Sequence, residues 1–148
     1  MHKALDDLLG GLGLSGNEYA PPWGLASQRH FASIAKKYGC QFPPSFISYQ
    51  IEYADKIPGP NELGWAHPKS DTWCNLAKMI EYARGWGVPD YLLPFAHDEG
   101  NFYCFDTRSP LPGGEYPVVF WDHDESDVLN VRHYQWPNFV SWLKDKQR

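Results

Sequence analysis

The side chains best suited to chemistry in this 148-residue chain fall in two short clusters, His97-Asp98-Glu99 and Asp122-His123-Asp124-Glu125, with Asp127 just beyond the second. Carboxylates and imidazoles in that combination offer oxygen and nitrogen ligands for a divalent cation. Paired carboxylates also serve general acid–base catalysis when their environments drive two pKa values apart, but the flanking residues supply no such environment. Turns at strand ends collect solvated Asp and His without binding an ion. Cys104 alternates with aromatic neighbours in an apolar run and reads as a buried, inert thiol. Cys40, Cys74 and Cys104 are odd in number and far apart, with no Cys-x-x-Cys or zinc spacing, which fits a reducing compartment. There is no Gly-x-Ser-x-Gly elbow, phosphate-binding glycine loop or His-Glu-x-x-His helix. The residues therefore point away from an enzyme and call for no cofactor or metal. A metal-dependent hydrolase built on Asp122 to Asp127 is the least supported alternative.

Charge points instead to a partner. Met1–Val88 carries eight basic and eight acidic residues, whereas Pro89–Arg148 carries five basic against ten acidic, so the whole net charge of -5 is C-terminal. Between Asp90 and Asp127 stand nine acids (Asp90, Asp98, Glu99, Asp106, Glu115, Asp122, Asp124, Glu125 and Asp127), opposed only by Arg108. Such a surface repels nucleic acid and anionic lipid and attracts a basic protein surface. A solvated, solubilising face is the competing reading. Seven Trp, nine Tyr and eight Phe exceed the needs of one core of this size, which leaves aromatic rings for a contact surface. The N-terminus lacks the uninterrupted apolar stretch of a signal peptide, and no run reaches the length of a membrane span. The expectation is a soluble, cytoplasmic protein that contacts neither nucleic acid nor membrane.

The elements that must position these residues are legible in the apolar spacing. Met1 to Leu9 reads as a frayed turn or short helix ending at Gly10 and Gly11, followed by a Gly/Ser/Asn/Pro-rich stretch to Pro22, so residues 1–26 form an N-terminal arm. Phe31, Ile34, Ala35 and Tyr38 recur at helical spacing between a Ser27 cap and a Gly39 stop. Pro43 and Pro44 start a second helix through Phe46, Ile47, Tyr49, Ile51 and Tyr53. Lys56 to Thr72 is broken by Pro and Gly, with one strand around Leu63 to Ala66. Leu76, Met79, Ile80 and Ala83 restore the helical period, with Asn75 or Thr72 as cap. Beyond Pro89, four strand-like runs follow: Tyr91–Ala96, Asn101–Asp106, Tyr116–Asp122 and Leu129–Tyr134. Gly100-Asn101 suits the tight link between the first two. Phe102–Phe105 and Val118–Trp121 are apolar on both faces, so these strands are central and covered on both sides. Trp136, Phe139, Val140 and Leu143 form a closing helix with Pro137 in its first turn. The whole is α+β: an antiparallel meander of about four to six strands packed against N-terminal helices and closed by a C-terminal helix.

The order of these elements, with Leu93-Pro94-Phe95-Ala96, Asp98, Gly100-Asn101-Phe102-Tyr103-Cys104-Phe105-Asp106 and Pro117-Val118-Val119-Phe120-Trp121-Asp122-His123-Asp124, resembles the SUKH superfamily over roughly Phe31 to Leu143. That superfamily contains fungal cell-wall assembly regulators and many bacterial immunity proteins. The resemblance implies one SUKH-like domain over residues 27–148. It also implies an immunity protein that binds and neutralises a cognate toxin, with a regulatory scaffold for host proteins as the alternative. The candidate partner-binding residues are Asp98, Glu99, Asp122, Asp124, Glu125 and Asp127, which would meet a basic surface such as a nuclease cleft, with Trp65, Trp73 and Trp121 as apolar anchors. For Trp121 a place in the core is the first reading. Variation between relatives makes Lys56–Thr72 an equal candidate for choosing the partner.

Overall fold

The computed structural model describes residues 2–14, 19–128 and 134–147. Helices α1 (Lys3–Leu12), α2 (Gln28–Tyr38), α3 (Pro44–Ser48) and α4 (Leu76–Gly85) precede strands β1 (Leu92–Asp98), β2 (Asn101–Asp106), β3 (Val118–Asp122), β4 (Asp127–Val128) and β5 (Gln135–Trp136), and α5 (Phe139–Asp145) closes the chain. The sheet is antiparallel in the order β1-β2-β3-β4, and β5 pairs with β3 beside β4. This is the α+β meander expected from the alternation of apolar residues. The strand expected over Leu129–Tyr134 lies almost wholly outside the described residues. Among the described residues no helix is long and apolar enough to cross a membrane.

Alternation on the central strands divides the interior. Leu93, Phe95, Tyr103, Phe105, Val118 and Phe120 face the main core with Phe31, Phe46, Phe139 and Trp142. Leu92, Phe102, Cys104, Val119 and Trp121 face the other way, onto Met79 and Ala83 of α4 and Val88. Helices therefore cover both faces. Phe46 is the hub of the first, with its ring centroid 5.1 to 5.7 Å from those of Phe31, Phe42, Phe95, Phe105 and Phe139.

Several local features differ from expectation for identifiable reasons. Helix α1 runs through Gly10 and Gly11 to a left-handed Gly13, and its Leu5 and Leu8 are buried in the main core. Burial of two leucines outweighs the local helix penalty of about 1 kcal/mol for each glycine. After Ser48 the helix widens into a π-helical turn, Tyr49–Tyr53, which lets the adjacent Tyr49 and Gln50 both face inward. The acceptor of Asn138 caps α5, so Pro137 precedes that helix instead of sitting in its first turn. Trp142, outside the expected stripe, is fully buried.

Lys56–Thr72 forms little regular structure but is firmly held. Glu62 to Trp65 runs along the outer edge of β1, where Gly64 N–H donates to Phe95 C=O at 2.8 Å and His97 N–H to Glu62 C=O at 3.0 Å. The buried Gln50 completes the attachment, its Nε2 donating to Gly64 C=O at 2.7 Å and its Oε1 accepting from Ala66 N–H at 2.8 Å. Gln50→Leu removes both bonds and strands two buried backbone groups, each costing about 1–3 kcal/mol. Urea denaturation should show a loss of that order, and an unchanged midpoint would contradict the assignment of Gln50 as the anchor of this segment.

Candidate interaction surface

Helix α4 begins where the Asn75 side chain accepts from Lys78 N–H, and it turns Leu76, Met79, Ile80 and Ala83 inward. Tyr82 and Trp86, one turn apart, therefore point outward. With Trp73, just before α4, they are 58%, 51% and 57% exposed, where an ordinary surface would place smaller or polar groups. Trp73 meets the His97 ring edge-on at 6.2 Å, Tyr82 lies 6.4 Å from Phe102, and Trp86 is 6.2 Å from Tyr82 and 5.8 Å from His123. The rings follow the seam between α4 and the turns of the sheet. Trp73 and Tyr82 border an open cavity of about 390 Å³ floored by Met79 and Phe102 and walled also by Lys78 and His97.

Two acidic turns adjoin this seam. In the β1–β2 hairpin Asp98 pairs with Asn101, so the turn residues are Glu99 (φ 51°) and Gly100 (φ 87°), and Asn101 opens β2 as its expected bounds require. A Cβ on Gly100 would lie 3.3 Å from His123 Nδ1, so both conformation and space call for glycine there. Glu99 occupies the left-handed region at a cost that Gly or Asn would reduce. In the second turn the Asp122 carboxylate accepts from Asp124 N–H at 2.8 Å, and Ser126 has φ 51°. Asn101 joins the two turns: its Oδ1 accepts from His123 N–H at 3.0 Å and lies 2.6 Å from His123 Nδ1.

The expected site residues divide accordingly. Asp98, Glu99, Asp122, Asp124, Glu125 and Asp127 all lie in or beside the two turns. Asp122 and Asp127 face one another across the β3–β4 pair, an arrangement of like charges that works against strand pairing. Trp73 joins this surface. Trp65 does not: its half-buried ring packs on Trp23 and Tyr49 and belongs to the main core. Trp121 is 1% exposed and packs against Phe102 inside the second core, so it has no ring to offer a partner. Tyr82 and Trp86 escaped the sequence reading, although two large aromatics at i and i+4 on the polar face of α4 were the available signal.

Three other acids of the C-terminal excess lie away from the turns, and two of them, Asp106 and Glu115, serve the fold. Asp106 binds Arg108 through Oδ1 to Nε at 3.1 Å and Oδ2 to Nη2 at 3.2 Å, while that guanidinium lies 3.9 Å from the centroid of the Tyr91 ring. Glu115 accepts from Ser45 N–H at 2.9 Å and Ser45 Oγ at 2.6 Å, satisfying the start of α3. Asp90 lies 3.6 Å from Arg84 Nε. Among the described residues no group of three or more His, Cys, Asp or Glu side chains is arranged to hold a metal ion. Burial pushes Cys74 up to about 11, with nearby Asp71 adding to the effect, and raises Cys104 and Cys40 as well.

Together these features define an α+β domain whose exposed rings and acidic turns share one edge. The chain belongs to the SUKH family: the family model SUKH_5, described as SMI1-KNR4 cell-wall, matches residues 1–147. The fold is similar to that in a crystal structure of a protein from Pseudomonas syringae pv. tomato, with a TM-score of 0.68 and 19% identity over 95% of this chain and 96% of that one. No curated protein matches the sequence.

The geometry makes two predictions. Glu99→Asn relieves the left-handed strain and should raise stability by about 0.5–1 kcal/mol, read as a higher urea midpoint; a lower midpoint would contradict that account of the turn. With all three thiols raised, a chromogenic disulfide reagent near neutral pH should label the native protein slowly and the unfolded protein at once. Rapid native labelling of Cys74 or Cys104 would contradict the burial of these thiols.

Proposed function

We propose that this chain is a non-catalytic, cytoplasmic immunity protein that neutralises a cognate bacterial toxin by binding it with the α4 and turn surface. The carrying observation is the meeting of Trp73, Tyr82 and Trp86 with the acidic turns on one edge. Exposed aromatic rings are favoured as energetic centres of interfaces, and one-signed charge around them speeds encounter with an oppositely charged partner. The family, which includes immunity proteins, supports the same reading. A nuclease suits it well, because the cleft that binds phosphate is basic and six carboxylates (Asp98, Glu99, Asp122, Asp124, Glu125 and Asp127) stand ready to oppose it.

Co-expression with a toxin domain, sought first in the genes neighbouring this one, is the direct test. Rescue of growth and co-purification are expected, and absence of both would sink the proposal. In kinetic measurements, Asp122→Lys, Asp124→Lys and Glu125→Lys combined should slow association by about tenfold or more at low salt and flatten its salt dependence. Unchanged association would remove the electrostatic part and leave the binding reading to the rings.

A further inference from the structure

We propose that the cavity between Trp73 and Tyr82 is a socket for one uncharged aromatic or long aliphatic side chain, carried on a partner loop whose flanking residues are Lys or Arg. The inference rests on the binding reading above and adds the chemistry of the recognised segment. The floor is apolar and prebuilt: Met79 and Phe102 are 6% and 1% exposed and belong to the second core. The rings of Trp73 and Tyr82 rise from that floor, so little rearrangement is needed to surround an inserted group. A volume of about 390 Å³ lies at the small end of the range for built ligand sites and suits a single side chain.

Charge around the socket is lopsided, which determines what can flank the anchor. Lys78 forms one wall and disfavours a cation in the cavity itself. Beyond His97 and Gly100, on the hairpin side, come Asp98 and Glu99, with the second acidic turn tied to the same edge by Asn101 and His123. A neutral anchor with cationic neighbours satisfies both sides. One further occupant fits poorly: nucleic acid would meet the same carboxylates.

Amide and indole NMR titration of the full chain with three synthetic peptides tests this without the toxin. The first is a short basic peptide with one central tryptophan, the second has alanine at its centre, and the third has glutamate in place of the flanking lysines and arginines. The first should shift the Trp73 indole N–H and the Gly100 and Phe102 amides. The other two should bind about tenfold more weakly or worse. Trp73→Ala and Tyr82→Ala, both at exposed positions, should weaken the first peptide by about tenfold while leaving the thermal midpoint unchanged. The proposal is overturned if the alanine peptide binds as well as the tryptophan peptide, if the glutamate peptide binds as well as the basic one, if the shifts map to another face, or if no shift appears at the socket up to millimolar peptide. Toxin rescue together with failed peptide binding would overturn the socket alone; peptide binding without rescue would overturn the immunity reading alone.

Discussion

A sheet whose central strands are apolar on both faces cannot rest against one layer, and most of this architecture follows from that constraint. One face is closed generously by the aromatic cluster around Phe46 from α2, α3 and α5, extended by Leu5 and Leu8 of α1. The other is covered by α4 and the segment after it. At 1.5 Å per residue, the ten residues of α4 span only about 15 Å, a single rod laid on several strands. Towards the hairpin end Phe102 is buried beneath Tyr82 and floors the socket. The aromatic seam thus follows the border of a packed core, along the edge of its short lid.

What holds that border in shape is polar. Arg84, near the end of α4, donates through Nη1 to Pro89 and Leu92 carbonyls, both at 2.8 Å, which ties the helix to the start of β1. At the opposite end of β1, Asn101 and His123 join the two turns. Both acidic turns include a non-glycine residue at positive φ, Glu99 and Ser126, and like charges face each other at Asp122 and Asp127. A sequence selected for stability alone would avoid these choices. Asp106 and Glu115 show the contrast, since one pairs with the Arg108 guanidinium and the other satisfies the start of α3.

Strand positions were legible because burial on both faces leaves a mark in every residue of a short run; β2 has the bounds expected of it, Asn101–Asp106. The hairpin link was legible in Gly100 next to Asn101, but the left-handed conformation of Glu99 was not, because register across β1 and β2, and no local preference, puts it in the turn. Lys56–Thr72 resisted reading for a deeper reason: its order comes from Gln50 and from the edge of β1, contacts remote in sequence. The site was half legible. Acidic turns announce themselves by composition, and Trp73 by the surplus of aromatic rings and its place just after the variable Lys56–Thr72 segment. Tyr82 and Trp86 were overlooked because α4 was read for the stripe that faces inward. For Trp121 the first reading, a place in the core, is the one the structure shows, and its alternative as an interface anchor falls because both sheet faces are covered.

Charge and rings contribute differently to recognition, and their placement on one edge matters for that reason. Between exposed groups in physiological salt, electrostatic attraction fades over about 8 Å, so the acidic turns can steer and orient a partner but hold it weakly. Affinity has to come from apolar surface removed from water near the centre of the contact. Here the rings lie alongside the acids, on a floor already packed and beside turns already joined. Trp73, Tyr82, Trp86 and Glu99 also point to solvent, so substituting them opens no cavity in either core. The fold is carried by the inward residues of the same elements, and α4 shows the division most clearly: Met79 and Ala83 seal the sheet while Tyr82 and Trp86 face outward from the same turns. Under that division a new partner can be accommodated by changing the outer residues while the inner set continues to specify the domain.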